Sequence, residues 1–297
     1  MIIIIKKYGQ LGNRLFPFAQ FIAHANKHNY RVLNIAFEDY SSLFLNTEKS
    51  LLCSYPPILT SSFFNQKMRK VIFKLVEMMV DFCIRIKFLK SWFHEVLLDN
   101  SSAYFYPDEK FIKSAKSKFV FICNPFYFRD EVTLHNNLEV AIDFLKIKDE
   151  YANNVLEITR EIRDKYEIII GIHIRGGDFR TWADGMYFYD IHYFKEAIKQ
   201  ANTIFGNKKI GFLICSNEIW SNQDFEDSNI YFAHGNLVED LLLLSKADYL
   251  IGGYSSYLYW ASLYGNVPIF SFLKKDIFEN PLQIDDFKDV REFGSIP

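Results

Sequence analysis

The sequence predicts an α/β protein made of two Rossmann-like domains that face a cleft. Its 297 residues are too many for one ordinary core and suit two domains of about 150 residues each. Short apolar strands alternate with amphipathic helices, as in parallel sheets that are covered on both faces. We place the boundary between residues 1–150 and 151–297, where helices predicted at Leu138–Lys146 and Tyr151–Tyr166 connect the two halves.

The N-terminal segment has the order strand, glycine-containing turn, helix, strand. Ile2–Lys6 is short and apolar, and it leads into the turn Tyr8–Asn13. Apolar residues at helical spacing predict a helix over Arg14–His28, with Pro17 in its first turn, where proline is tolerated. Tyr30–Ala36 is predicted to be the next strand. This βαβ order is typical of the start of a Rossmann-like domain.

Residues 67–90 combine basic and apolar side chains at helical spacing. Seven lysines and arginines stand in this segment against Glu77 and Asp81. A basic amphipathic helix of this kind can contact an anionic membrane surface, here the inner face of the membrane. It can equally pack one face on its own domain and leave the basic face in water. The sequence leaves both alternatives open.

The C-terminal half alternates strands and helices at regular spacing. Strands are predicted there at Glu167–Ile174, Lys209–Ile214, Asn229–Ala233, Tyr249–Ile251 and Val267–Phe270, and helices at Asp190–Asn202, Leu237–Lys246 and Ser256–Tyr264. A further strand is predicted at Lys118–Cys123, in the N-terminal half. Such an order predicts a parallel sheet, in which ligands bind beyond the carboxyl ends of the strands.

Composition argues against several classes of protein. The formal net charge is −2, so the chain lacks the basic balance of a protein that coats nucleic acid. The four cysteines form no CxxC pair, which argues against a zinc ribbon or a redox pair and favours free thiols in a reducing compartment. There is neither a run of 18 uncharged apolar residues nor the layout of a signal peptide, so a cytoplasmic protein is expected.

Three segments that follow predicted strands carry unusual polar residues. Gly9–Arg14 fits no standard phosphate loop, and Asn13 there can cap the following helix. His173–Asp178 brings a histidine and an arginine to the same face of a strand end. The planar guanidinium of Arg175 suits a diphosphate, although an ion pair with Asp178 across the turn would leave it a structural role.

The third segment, Gly252–Tyr257, follows a strand and starts a helix. The two serines there, Ser255 and Ser256, lie where free N–H groups and the helix dipole attract anions, although Ser255 can simply cap the helix. Asp240 is expected at the same end of the sheet. By contrast, the acidic run 224–227 lies in a polar loop and is interpreted as a solvated turn rather than a metal site.

The order of these motifs resembles a known family. Gly-x-Leu-Gly-Asn-x-x-Phe stands near the start, His-x-Arg-x-Gly-Asp in the middle, and Ser-Ser with a downstream Trp260 near the end. This order resembles the bacterial α-1,2-fucosyltransferases, glycosyltransferase family 11, and more broadly the α-1,2/α-1,6/protein-O fucosyltransferase superfamily. The resemblance extends from Ile2 to about Phe270.

The resemblance implies a GT-B fold, GDP-L-fucose as donor, and inverting transfer without a metal or other cofactor. Arg175 would hold the β-phosphate, and His173 and Asp240 would contact the guanine. Asn13 would face the diphosphate and the acceptor. The residues implied to bind the donor are His173, Arg175, Asp240, Ser255, Ser256 and Tyr257.

The chain departs from the family pattern at Gly176, where members usually carry a second arginine. This departure leaves room for a different nucleotide sugar, and a non-catalytic sugar-nucleotide or glycan-binding relative is a further alternative. The expected acceptor is a surface polysaccharide or an O-antigen type of glycan. Its hydroxyl needs a general base, for which Asp178 ranks first, followed by Asp184 and Glu218.

Overall fold

A computed structural model describes residues 1–58, 66–86, 94–97, 103–225 and 229–290. The chain divides into two compact units, Met1–Lys148 and Asp149–Pro297. Each unit is built on its own parallel sheet. Among the helices of these ranges, none is both long and apolar enough to cross a bilayer.

The first unit contains a four-stranded parallel sheet in the order β2-β1-β4-β3. Its strands are β1 (Ile2–Ile4), β2 (Val32–Asn34), β3 (His94–Leu97) and β4 (Phe119–Ile122). The isoleucines of β1 are buried between two partners, with Ile3 beside Leu33 on one side and Phe121 on the other. Because both edges and both faces of β1 are covered, a continuous apolar run is stable there.

The helices of the first unit are α1 (Leu11–His28), α2 (Leu45–Lys49), α3 (Gln66–Arg85), α4 (Glu109–Ser117), α5 (Glu131–Asn136) and α6 (Leu138–Phe144). Helix α1 begins three residues earlier than the apolar spacing predicts. The expected capping role of Asn13 is therefore wrong, because Asn13 lies inside the first turn and Gln10 is the N-cap residue. Pro17 likewise lies in the helix interior rather than in the first turn.

The second unit contains a five-stranded parallel sheet in the order β7-β6-β5-β8-β9. Its strands are β5 (Ile168–Ile174), β6 (Ile210–Ser216), β7 (Ile230–Phe232), β8 (Tyr249–Gly252) and β9 (Ile269–Ser271). Helices α7 (Asp149–Arg163), α8 (Ile191–Ile204), α9 (Leu237–Leu244) and α10 (Ser256–Gly265) cover it. The central strand β5 pairs with β6 and β8, and its side chains Ile170, Ile172 and Ile174 are buried.

Helices α9 and α10 approach each other closely at Gly265. A Cβ atom added at Gly265 would lie 2.1 Å from the backbone oxygen of Ser245. Relief of this clash requires the backbone to move, because the oxygen does not belong to a flexible side chain. We expect Gly265→Ala to lower the free energy of unfolding by about 3 kcal/mol, at the upper end of overpacking effects. Chemical denaturation followed by circular dichroism measures this change.

The matched control for this prediction is Gly206→Ala. Gly206 is exposed after α8, and an added Cβ atom there would lie 3.2 Å from the Asn202 oxygen. We expect its effect to stay below about 1 kcal/mol. An unfolding midpoint of Gly265→Ala equal to that of Gly206→Ala would contradict the close approach.

Candidate active site

The sheet of the second unit reverses its strand order between β5 and β8. The chain leads from β5 through α8 to β6 and then outward to β7, whereas β8 and β9 lie on the other side of β5. In open α/β sheets ligands bind beyond the carboxyl ends of the strands, at such a switch point. Here those ends lead directly into Arg175 and Gly253. The two motifs of the second unit, His173–Asp178 and Gly252–Tyr257, thus lie at the edge where this architecture binds ligands.

Arg175 and Asp178 form an ion pair across the turn after β5. The Arg175 Nη2 atom donates to both carboxylate oxygens of Asp178, at 2.8 and 3.0 Å. The guanidinium also lies over the Phe179 ring, 5.1 Å from its centroid. The Arg175 side chain is 18% exposed and that of Asp178 57%. The arginine is therefore held in one orientation by a partner that faces solvent.

The surroundings of position 176 explain why a glycine stands there. A Cβ atom at this position would lie 2.1 Å from the Glu218 carboxyl carbon. Glu218 accepts from the Gly177 N–H at 3.2 Å and pairs with Arg180 at 2.9 Å, and the Gly176 N–H donates to Asn217 Oδ1 at 2.9 Å. These bonds tie the loop after β5 to the loop after β6. A side chain at position 176 would displace Glu218.

The alternative bases Glu218 and Asp184 lie in different surroundings from Asp178. Glu218 is held by Arg180 and the Gly177 N–H, as described above. Asp184 lies in a 3-10 turn with a φ of 55°, next to Ala183 with a φ of 49°. Non-glycine residues rarely adopt these left-handed angles, and such strain is more frequent at functional sites.

His173 is buried near the end of β5 and is neutral at physiological pH. It lies in register with Cys215 on β6 and with Gly252 on β8. Burial and, secondarily, the Arg175 charge lower the pKa of His173 to about 3. Its Nδ1 atom has no hydrogen-bond partner, although the ring lies 5.1 Å from the Tyr257 ring. A buried imidazole with an open nitrogen can exchange one hydrogen bond with a ligand.

Tyr257 supports this histidine through its side chain. Its hydroxyl donates to the Leu237 backbone oxygen at 2.5 Å, which holds the ring against His173. The Tyr257 hydroxyl is thus engaged at the start of α9. An anion at this position would therefore accept a hydrogen bond from the backbone N–H in the first turn of α10 rather than from the Tyr257 hydroxyl.

Asp240 lies on α9 with a carboxylate that is only partly satisfied. The Gly235 N–H donates to it, whereas Oδ1 is buried without a hydrogen-bond partner. Burial and the neighbouring Glu239 raise the pKa of Asp240 to about 6. Its backbone oxygen is 3.7 Å from Cys215 Sγ, so Asp240 packs against the strand next to His173. A carboxylate in this state is expected to gain from a ligand that donates hydrogen bonds.

A pocket of about 310 Å³ opens beside Asp240, at the carboxyl ends of β6 and β7. Its polar and aromatic lining consists of Ser216, Asn217, Glu218, Trp220, Phe232, His234 and Asp240. Apart from Asp240 and Glu218, none of these residues stands in the sequence motifs. What they share is their place at or just after the carboxyl ends of β6 and β7, which a contiguous sequence motif does not reveal.

The N-terminus of α10 is left without a side-chain cap. Ser255 is the N-cap residue and is buried, but its hydroxyl makes no capping hydrogen bond, so the capping role considered for it is wrong. Ser256 begins the helix. The first-turn N–H groups of a helix have no partner within the helix, and the dipole makes this end attractive to anions.

Asn13, the remaining candidate, belongs to the first unit. Gly9 has a φ of 57°, and a Cβ atom there would lie 2.3 Å from Asn13 Nδ2, so the turn needs glycine to accommodate this side chain. The neighbouring Arg14 donates to Asp39 at 2.8 Å and to the Ala36 oxygen at 3.1 Å. Arg14 therefore stabilises the turn that carries Asn13.

Comparison with known proteins decides the family. The family model described as "Glycosyl transferase family 11" matches residues 110–270, more than half of the chain. The chain belongs to glycosyltransferase family 11. This confirms the resemblance drawn from the three motifs. No curated protein sequence matches the chain.

Solved structures with the same fold are fucosyltransferases or complexes with GDP. An FUT1 mutant from Arabidopsis thaliana in complex with GDP matches this glycosyltransferase with a TM-score of 0.57, at 12% identity, over 91% of this chain and 70% of the other. NodZ from Bradyrhizobium matches with a TM-score of 0.53, at 14% identity, over 91% and 94%. NodZ α-1,6-fucosyltransferase soaked with GDP-fucose gives 0.52 at the same identity and coverage. At these identities the similarity concerns the fold, and it confirms the expected GT-B class.

Four aromatic rings of the glycosyltransferase lie next to one another in a row, which begins at the Phe179 ring under the Arg175 guanidinium. Successive ring centroids are 5.5 Å apart from Phe179 to Trp182, 5.0 Å from Trp182 to Tyr187, and 5.1 Å from Tyr187 to Tyr254. The Trp182 side chain is 52% exposed. Exposed, fixed aromatic rings offer flat apolar surface at low conformational cost.

The acidic run 224–227 shows no metal-binding arrangement where it is described. The Asp224 carboxylate accepts from the Ser221 N–H and hydroxyl, both at 2.8 Å, as in a capped turn. Glu226 and Asp227 lie outside the described residues. Within the described ranges, no group of three or more His, Cys, Asp or Glu side chains could hold a metal ion.

Proposed function

We propose that this glycosyltransferase transfers L-fucose from GDP-fucose to a hydroxyl of a glycan, with inversion and without a metal. The observation that carries the proposal is the pocket beside Asp240, next to the strand that presents His173 and Arg175. Membership of family 11 and the fold shared with the NodZ α-1,6-fucosyltransferase support it. The proposed linkage is α-1,2, and the proposed acceptor is a surface polysaccharide or an O-antigen type of glycan.

Guanine fits the chemistry of Asp240. A guanine edge presents the N1–H and the N2 amino group side by side, and a carboxylate accepts from both. Asp240 has an unsatisfied oxygen and lies on the wall of a pocket that can enclose a flat ring beside Trp220. The neutral His173 has one open nitrogen for a further contact with the nucleoside.

Two groups of the second unit are suited to the diphosphate. Arg175 supplies a permanent cation with planar donors. The uncapped first turn of α10, at Ser255, Ser256 and Tyr257, supplies N–H groups and the positive end of the helix dipole. When the sugar bond breaks, negative charge grows on the β-phosphate, and fixed donors of this kind stabilise it without a metal. Asn13 is proposed to act on the same diphosphate from the first unit.

Asp178 is proposed as the general base. It becomes available when the donor binds Arg175. In the structure both of its oxygens are held by Arg175 Nη2. A diphosphate that takes over this guanidinium would leave the carboxylate free to accept the proton of the acceptor hydroxyl. The exposed Trp182 ring, on the loop that follows, is suited to stack on a sugar of the acceptor.

Isothermal titration calorimetry tests the donor assignment. GDP, GDP-fucose, GDP-mannose and UDP-glucose would be titrated without added metal. We expect tight binding of the guanine nucleotides only, followed by fucose transfer in an acceptor screen. Binding of UDP-glucose would favour a different nucleotide sugar, and no nucleotide binding at all would favour the non-catalytic glycan-binding alternative.

Asp240→Asn tests the base pocket. We expect it to weaken GDP-fucose binding about 10- to 100-fold, because the amide cannot accept both guanine donors. The wild-type affinity should also fall as pH drops below about 6, where Asp240 takes up a proton and loses its acceptor strength. GDP-fucose suits this series because its doubly esterified diphosphate does not titrate there. The variant should lack this pH dependence.

The same substitution should stabilise the free protein. A carboxyl group whose pKa is raised by folding favours the native state at low pH and loses that contribution as pH rises through about 6. Asp240→Asn removes this cost at pH 7, by as much as about 2 kcal/mol after allowance for partial exposure. Glu239→Gln, the same charge change one residue away, is the control. Equal effects of the two variants on binding would contradict the assignment.

A further inference from the structure

Among the described residues of the first unit, helix α3 packs one of its three faces on its neighbours. Phe73 and Val80 are buried, 5% and 1% exposed. Arg69 is also buried, and its guanidinium donates to the backbone oxygens of Thr47, Glu48 and Ser50. Arg69 therefore does not belong to the basic surface that the sequence pattern indicates. It anchors the helix by satisfying carbonyls around α2.

A second face of α3 is apolar and exposed. It consists of Met68, Val71, Leu75, Met78, Met79 and Phe82, with exposed fractions between 46% and 64%. At 3.6 residues per turn these six side chains fall on one arc about 100° wide. Continuous apolar surface of this extent is uncommon on a solvated helix and marks an interaction site. We call this surface the apolar face.

The third face is charged, and the charges nearest the apolar face are cationic. By helical geometry Lys67, Lys74 and Arg85 lie within about 40° of the edge of the apolar face. Asp81, Lys70 and Glu77 lie farther round, at about 60°, 80° and 100° from that edge. All six side chains are exposed. One edge of the apolar face is thus lined by cations, whereas the half-buried Ile72 and Cys83 lie along the other edge.

We propose that α3 lies flat in the surface of an anionic lipid bilayer, with the apolar face at the acyl boundary. Lys67, Lys74 and Arg85 then contact lipid phosphates at the edge of the buried strip. An in-plane helix needs this arrangement of apolar and basic residues. A second copy of the chain is a poorer fit, because a two-fold antiparallel contact through this face brings the two cationic edges together. The arrangement explains why α3 has an apolar strip that the described part of its own domain leaves exposed.

Vesicle co-sedimentation with the full chain tests the proposal. We expect binding to phosphatidylcholine vesicles that contain 30% phosphatidylglycerol, little binding to pure phosphatidylcholine, and weakening in 0.5 M NaCl. Leu75→Asp with Met78→Asp should reduce partitioning at least about 10-fold. Lys67→Glu, Lys74→Glu and Arg85→Glu together should reduce it about 100-fold, since each cation near such a surface contributes about a factor of ten or less.

The control carries the same charge change on another exposed helix. Lys110→Glu, Lys113→Glu and Lys116→Glu on α4 should leave most of the partitioning intact. Circular dichroism verifies that each variant is folded, a control that does not depend on the proposed function. Equal losses in both triple variants, binding unaffected by the aspartates, or no binding to anionic vesicles would overturn the proposal. So would a dimer in light scattering that Leu75→Asp dissociates, since it would assign the apolar face to a second copy.

Discussion

Arg175→Ala is expected to lower kcat for fucose transfer about 1000-fold. The guanidinium is the fixed cation at the end of β5, and loss of one positioned donor to a developing oxyanion costs about 3–4 kcal/mol of transition-state stabilisation. Because the leaving diphosphate carries more charge in the transition state than in the ground state, kcat should fall more than affinity for GDP. Single-turnover kinetics and calorimetry separate the two.

Arg180→Lys is the matched control for this variant. Arg180 lies on the same loop, and lysine keeps a cation for Glu218. We expect near wild-type turnover. Arg175→Lys should recover only part of the loss, because an ammonium lacks the planar pair of donors. If Arg175→Ala retained turnover, another group would have to stabilise the leaving diphosphate, and the proposed role of Arg175 would be wrong.

Asp178→Asn is expected to lower kcat about 100-fold while GDP binds as tightly as before or up to about tenfold more tightly. The amide cannot accept a proton, so general-base assistance of the usual size is lost. It also removes a competing carboxylate from Arg175, whose Nη2 atom donates to the two Asp178 oxygens at 2.8 and 3.0 Å in the wild-type protein. Lower turnover with undiminished donor affinity would distinguish a base from a residue that merely shapes the loop.

Two further variants rank the alternative bases. Asp184→Asn and Glu218→Gln should each affect kcat less than Asp178→Asn. Glu218→Gln should mainly disturb the bonds to Arg180 and the Gly177 N–H. A larger loss in either variant, with the acid limb of the pH profile removed, would transfer the base role to that residue.

The parts of the fold that sequence predicts are those in which local pattern and tertiary environment agree. β5 and β6 are buried on both faces, so they appear as unbroken apolar runs. β3 was not predicted, because His94–Leu97 is short and half polar and acquires strand structure by pairing with β4. α4 was missed for a similar reason: a nine-residue helix with three lysines gives a weak apolar pattern.

The candidate site divides in the same way. Contiguous motifs such as His173–Asp178 are visible in the sequence, and even the ion pair of Arg175 with Asp178 follows from their spacing. Asn217 and His234 could not be predicted from a contiguous motif, because they follow two different strands and come together with Asp240 only in the folded sheet. The burial of Arg69 is equally invisible, since its carbonyl partners lie around α2, some 20 residues earlier.

The central strands have a consequence for synthesis of the chain on the ribosome. β1 precedes its neighbour β4 by about 115 residues, and β5 precedes β8 by about 75. At a translation rate of 5–20 residues per second, the second neighbouring strand of β1 or β5 is synthesised roughly 4–20 s after the strand itself. Until then one edge of each uncharged, isoleucine-rich strand has no partner strand. Such segments self-associate readily while an edge is open. Yield should therefore respond to slower translation, or to chaperones that hold extended apolar peptides, more than to changes on the finished surface.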